Sequence, residues 1–304
     1  MPRENCFQDR TQFTNRLGNM WVLLAVNSVT LGGLLFLLAA GFSLIFGLMR
    51  IPNLTHGSFF MLGAYLAVSF LAAGANFWVA ALLAALVVAA LGGVIERVLL
   101  RRLGSEALPQ VLVTLGLSFM IADLCLMGWG GDPLPIATPA GLRGSLSLKA
   151  FPVFPTYRLV IVLIALVIAA ALWLMLERTR LGAMIRAGVD DVAMARVCGI
   201  RISRLFTIVF CLGAALAGFG GVMAAPILSV YPGLDADMLP LALIVVILGG
   251  TGSLLGALIG SFIIGFLYNF GQALFPELAY IILFLPMLLV LLLRPQGLFG
   301  RQAP

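Results

Sequence analysis

From Trp21 to Leu293 the chain is a succession of apolar stretches of about twenty residues, the length a helix needs to cross a bilayer core, broken by short clusters of Arg, Pro and Gly. Backbone groups at membrane depth must bond within their own segment, so these stretches read as helices rather than strands. Candidate spans fall at 57–74, 76–95, 108–128, 158–176, 205–225, 239–255, 257–275 and 278–293. The first region, Met20 to Met49, is long for one upright helix and short for two. Gly32-Gly33 and Gly41 offer places to break it. The expected fold is an all-α integral membrane protein, a polytopic bundle of about 8–10 transmembrane helices in a single domain over 1–304, with a polar segment at 1–19.

Composition excludes the aqueous alternative: 62% of residues are hydrophobic and 10% charged, whereas soluble domains are about one quarter charged. The net charge of +6 could suggest a nucleic-acid partner, but in a membrane protein basic residues set orientation and meet lipid headgroups. No nucleic-acid binding is expected. Cys6, Cys125, Cys198 and Cys211 form no C-x-x-C pair and His56 is the only histidine, so neither a metal nor a redox site is expected. No GxxxxGK[ST] phosphate loop is present, and no nucleophile–base constellation is recognisable. The chain reads as a transport subunit without catalytic residues or a cofactor of its own.

Short cytoplasmic loops collect arginine. Residues 96–107 hold Arg97, Arg101 and Arg102, residues 177–204 hold Arg178, Arg180, Arg186, Arg196, Arg201 and Arg204, and the tail at 294–304 holds Arg294 and Arg301. The loops that alternate with these hold Arg143, Lys149 and Arg158. This places the C-terminus inside. Arg3, Arg10 and Arg16 argue for an inside N-terminus as well, which would need Met20 to Arg50 to cross and partly return. The Pro- and Gly-rich stretch from Trp129 to Tyr157 reads as an irregular outer cap, a docking surface or a plain connection.

Three segments carry the functional reading. In Glu177 to Arg204, Asp190-Asp191 suit a helix N-terminus, Val189, Ala193 and Val197 recur at i, i+4 and i+8, and Gly199 supplies a stop. A short helix outside the bilayer follows, either a groove-filling element or a positive-inside anchor. In Ile51 to Phe59, Pro52 and Gly57 force a broken helix near residues 50–57, which is either a cytoplasmic turn or a cavity-lining break presenting Asn53, Thr55, His56, Gly57 and Ser58. In Leu248 to Gly265, Gly252, Gly256 and Gly260 recur at the spacing that lets helices approach closely in lipid, with Thr251 and Ser253 as possible pathway groups. Asp123 is the one acid well inside a span, read as snorkelling or paired.

The loop from Glu177 to Arg204, with its Arg180-Leu181-Gly182 opening and Gly199-Ile200 ending, resembles the cytoplasmic coupling loop of LivH-type permeases, membrane subunits of branched-chain amino acid ABC importers. GFSLIFGLMRIPNLTHGSFFMLGAYLA from Gly41, LGGTGSLLGALIGSFIIG from Leu248 and RPQGLFG from Arg294 support the match in family order. Family members commonly read Asn-Phe-Ala-His-Gly where this chain has Asn53 to Gly57. The resemblance implies a permease domain whose cytoplasmic coupling helix docks on an ATPase through Arg180, Gly182, Arg186, Asp190, Ala193, Arg196 and Gly199. It also implies a second permease subunit, usually a different chain, two cytoplasmic ATPase subunits and an extracytoplasmic substrate-binding protein in a bacterial inner membrane. The substrate class implied is branched-chain or other hydrophobic amino acids. Urea and short-chain amide permeases use similar membrane subunits, and an ion-coupled secondary carrier is the remoter alternative.

Overall fold

The computed structural model describes residues 3–49, 53–103, 106–146, 154–294 and 296–300. Arg50, Pro52 and Lys149 lie outside these residues, as does the tail beyond Gly300. The chain is a helical bundle: α1 (Arg3–Met49), α2 (Thr55–Ala72), α3 (Phe77–Val98), α4 (Ala107–Trp129), α5 (Thr156–Arg178), α6 (Arg180–Asp190), α7 (Val192–Val197), α8 (Ile202–Leu228), α9 (Leu234–Gly249), α10 (Leu254–Leu274) and α11 (Ala279–Leu293). Among the described residues, seven helices are long and apolar enough to cross a membrane, the first of them Met20–Met49 within α1. Two more, α9 with 16 residues and α11 with 15, are shorter.

No break occurs at the places that Gly32-Gly33 and Gly41 offer, and α1 runs through Met20–Met49 as one continuous helix. Its glycines serve contact instead of bending. A Cβ at Gly41 would come within 2.7 Å of the Gly213 carbonyl oxygen on α8, and one at Gly47 within 2.6 Å of Gly252. Similarly, Gly63 of α2 backs onto the Gly218 carbonyl of α8, and Gly221 of α8 backs onto the Phe60 carbonyl of α2. Helices without a hydrophobic driving force between them associate by such backbone contact. The result is a central block of α1, α2 and α8, whose largest buried side chains include Tyr65, Phe36, Phe42, Phe59, Phe60 and Phe210.

The two ends of the bundle differ. At one end, called basal below, the Met49 end of α1 meets α6, since Gly188 touches Leu48 and Leu205. The turn between α9 and α10 lies at this end too, with Gly252 against Gly47. At the opposite end Trp21 stacks on Phe270, ring centroids 6.0 Å apart. Met20–Met49 therefore crosses once, and the partial return considered from Arg3, Arg10 and Arg16 is replaced by a single crossing. The outer connections are tied together: Leu134 and Val230 exchange backbone hydrogen bonds of 2.7 and 3.0 Å, and Ser145–Leu146 pairs antiparallel with Phe154–Pro155.

Candidate functional sites at the α2 break and the basal loop

The helix break near residues 50–57 leaves α2 starting inside the bundle. Thr55 lies beside Thr114, seven residues into α4, and His56 beside Leu38, eleven residues before the end of α1. At 1.5 Å per residue, α2 begins about 10–16 Å above the basal helix ends. Asn53, Thr55, His56 and Ser58 are accordingly buried. Buried N–H groups at such depth need partners, and the local sequence supplies them. The Asn53 side-chain oxygen accepts from the Thr55 N–H at 3.2 Å, and the Asn53 carbonyl accepts from the His56 N–H at 3.2 Å. Leu54 N–H donates to the Thr114 hydroxyl at 3.3 Å, and the Thr55 hydroxyl donates to the Thr114 carbonyl at 2.9 Å.

One turn further, the Ser58 hydroxyl donates to the Asp235 carboxylate of α9 at 2.9 Å and lies 2.7 Å from the Ser118 hydroxyl of α4. With the Ser58 proton committed to Asp235, Ser118 is the donor between the two serines. Gly57 sits where a Cβ would meet Leu239 at 2.8 Å and the Asp235 carbonyl oxygen at 2.9 Å, so its missing side chain is what lets α9 close over α2. His56 Nε2 donates to the Leu38 carbonyl at 3.0 Å and its ring meets Phe42 edge-on. It caps nothing on its own helix. His56 Nδ1 and Asn53 Nδ2 are buried with no hydrogen-bond partner among the described residues. Asn53 lines a small gap with Gln110, Thr114, Ile45, Met49, Leu100 and Phe210.

The other two residues expected on a pathway, Thr251 and Ser253, are not brought to this seam. They lie in the basal turn between α9 and α10, where the Ser253 hydroxyl accepts from the Gly256 N–H at 3.0 Å and caps α10. Of the glycine series, Gly256 and Gly260 pack against the Gly249 and Val245 carbonyls, whereas Gly252 belongs to the turn at φ +78°. The segment 296–300 folds back onto this turn. Leu298 and Phe299 N–H groups donate to the Leu248 and Gly249 carbonyls at 2.9 and 3.0 Å, completing bonds that the end of α9 leaves open.

The basal loop between α5 and α8 folds as two helices where one was expected. Asp190 ends α6, and Asp191, extended at φ −151°, caps α7 by accepting from the Ala193 and Met194 N–H groups at 2.8 and 3.0 Å. Val189, Ala193 and Val197 consequently do not share a helix. Gly199, at φ +84°, stops α7 as expected, and the Ile200 N–H reaches back to the Ala195 carbonyl at 3.0 Å. Thr179 caps α6, Gly182 presses on the Leu176 carbonyl, and Arg186 donates to that same carbonyl and lies 3.6 Å from Glu177. The inner face of α6, carrying Gly182, Ile185 and Gly188, is buried on the bundle. On α7 only Ala195 is buried. Arg180, Ala193, Met194, Arg196 and Val197 remain exposed, Met194 by 61% and Val197 by 82%.

Beside this loop is a polar node that the sequence did not disclose. Glu96, at the base of α3, accepts from Arg101 at 3.1 Å and from the Thr207 hydroxyl of α8 at 2.6 Å, and Arg101 also donates to the Ser203 carbonyl at 2.9 Å. The node clamps the first turns of α8 to α3. At the outer end, burial and the Asp237 carboxylate hold the Tyr231 phenol above its ordinary pKa, the hydroxyl donating to Asp237 at 2.5 Å.

Residues 24–291 match the family described as branched-chain amino acid transport system, permease component. The chain is 30% identical over 293 residues to the high-affinity branched-chain amino acid transport system permease protein LivH of Escherichia coli (strain K12), covering 90% of this chain and 94% of that protein. It is 29% identical to the corresponding protein BraD of Pseudomonas aeruginosa over 290 residues, covering 91% of this chain and 94% of BraD. A partial similarity, 32% over 157 residues, covering 47% of this chain and 41% of the relative, links it to the ribose import permease protein RbsC of Escherichia coli (strain K12). No solved structure matches the chain. With helices fit to span a membrane along the whole matched length, the chain belongs to the family of branched-chain amino acid transport permease components.

Proposed function

We propose that this chain is a permease subunit of an ATP-driven importer for branched-chain or other hydrophobic amino acids, seated in a bacterial inner membrane with its basal end in the cytoplasm. The observation that carries this reading is the α6–α7 unit. Its inner face is locked to the bundle by Gly182, Ile185 and Gly188, while Ala193, Met194, Arg196 and Val197 are presented outward from a capped helix. An exposed apolar patch flanked by arginine suits a groove on a protein rather than water. Cytoplasmic ATPase subunits fill that role here. The arginine-rich loops at this end support the cytoplasmic assignment.

A second permease subunit completes the translocation route, and a binding protein delivers the amino acid to the outer end. Nucleotide-driven movement of the ATPases displaces α6–α7 and shifts the permease between outward- and inward-facing packings. The test is purification of the complex from its native membrane, with ATPase activity and amino-acid uptake measured for the parent and for Ala193→Arg. Loss of the ATPases, or ATP hydrolysis without uptake, is expected for the variant. Uptake by the permease alone without ATP would refute the reading.

A further inference from the structure

Helix α4 stands apart from the other peripheral helices. It touches the rest of the bundle through α2 and the 3-10 turn Leu100–Leu103, along a stripe of Gln110, Thr114, Ile121 and Cys125. At about 100° per residue that stripe spans about 60°, and Asp123 lies about 170° from its middle. Asp123 is therefore on the face turned away from the protein, six residues from Trp129 and so about 9 Å below the outer end of the helix. It is exposed and has no hydrogen-bond or ion-pair partner among the described residues.

The exposed midsections of the other rim helices are apolar: Leu82, Leu86 and Val87 on α3, Leu163, Leu166 and Val167 on α5. Those faces suit lipid. A carboxylate facing hydrocarbon is costly, and acids inside spans face a bundle interior or a water-filled cavity. The same face is also free of other helices about two turns nearer the basal end, where a Cβ added at Gly116 meets nothing within 4 Å. The opposite side of α4 binds the α2 break through Thr114 and Ser118. Polar groups thus occupy both sides of this one helix.

We propose that the outer face of α4 lines a water-filled passage between this chain and the second permease subunit, and that Asp123 binds the ammonium group of the amino acid crossing it. This rests on the importer reading above. A carboxylate in a water-filled passage with apolar walls attracts the cationic end of a zwitterion and leaves its hydrophobic side chain to Phe119, Met120 and Met127, which are exposed by 64%, 60% and 82%.

The test has two arms on the assembled complex in proteoliposomes. In the first, a membrane-impermeant cationic thiol reagent is applied from the outer side to Asp123→Cys and to Leu163→Cys, the latter on the lipid-facing side of α5. Labelling of the α4 variant alone, slowed by leucine, is expected; equal resistance of both variants would overturn the passage. In the second, Asp123→Asn is expected to raise the KM for leucine uptake about tenfold, in line with loss of a charge-assisted bond, with Asp123→Glu restoring it. Unchanged KM in Asp123→Asn, or separation of the two permease subunits, would overturn the ammonium site in favour of lipid exposure or a pairing with the partner. If the parent shows no ATP-driven uptake, the importer reading itself fails, and thiol labelling still decides whether α4 faces water.

Discussion

Arg101→Ala is expected to destabilise the protein far more than Glu96→Gln, although each removes one half of the same pair. The Glu96 side chain is 2% exposed and that of Arg101 41%, so the two partners do not have equal recourse to water. Without Arg101, the carboxylate keeps one bond, from the Thr207 hydroxyl at 2.6 Å, and is otherwise stranded among buried side chains. Stranding one member of a buried pair costs about 3–5 kcal/mol. Glu96→Gln keeps the shape and an oxygen that still accepts from Thr207, while the half-exposed guanidinium turns to water. That loss is about 1 kcal/mol, because a pair with one partner this exposed is screened. The double variant should regain most of the stability lost in Arg101→Ala, since a glutamine leaves no buried charge behind. The assay is thermal unfolding of the purified protein in detergent, followed by size-exclusion of the folded fraction. The expected order is parent, then Glu96→Gln and the double variant together, then Arg101→Ala last. A double variant no more stable than Arg101→Ala would show that the buried charge is not the cause.

Three further outcomes are expected. Gly63→Val drives a side chain into the Gly218 backbone and should abolish folded protein by size-exclusion, whereas Gly128→Ala, with nothing within 4 Å, should leave the unfolding temperature unchanged or slightly raised. Asp191→Ala removes two capping bonds from α7, about 1 kcal/mol of local stability, and should lower uptake per ATP hydrolysed while the unfolding temperature of the permease stays within a degree or two. Truncation after Arg294 leaves the Leu248 and Gly249 carbonyls without their partners and should cost about 1–3 kcal/mol for each that water cannot reach, read as a lower unfolding temperature.

The placement of the spanning helices is legible because a bilayer demands one apolar length, and the spans expected at 76–95, 108–128 and 158–176 match α3, α4 and α5 to within three residues at each end, although seven helices among the described residues are long and apolar enough to cross where about 8–10 were expected. The break before α2 is legible for a similar reason, since Pro and Gly act locally. Its depth is not, because that depends on which turn of α1 receives His56, and the Leu38 carbonyl carries no sequence signal. Gly32, Gly33 and Gly41 look like breaks but serve contact, a choice made by whichever helix lies opposite. Asp191 was legible as a helix-starting acid. That it divides the loop in two follows from its extended backbone, which spacing alone does not reveal. Asp235 and Ser118 escaped notice because Ser58 is 177 residues from one and 60 from the other.

The glycine contacts of the central block also limit how this protein can move. Where the Gly41 and Gly63 backbones rest directly on those of Gly213 and Gly218, there is no flexible side chain between the helices to absorb a sliding motion. A shift of one helix by even a fraction of a turn would put a bulkier residue where only hydrogen fits. Helices α1, α2 and α8 are therefore a chassis carried through the transport cycle as one body. The compliance lies in the rim outside this block, and α4, which meets α2 along the stripe of Gln110, Thr114, Ile121 and Cys125, can move only together with the α2 break that its Thr114 and Ser118 hold.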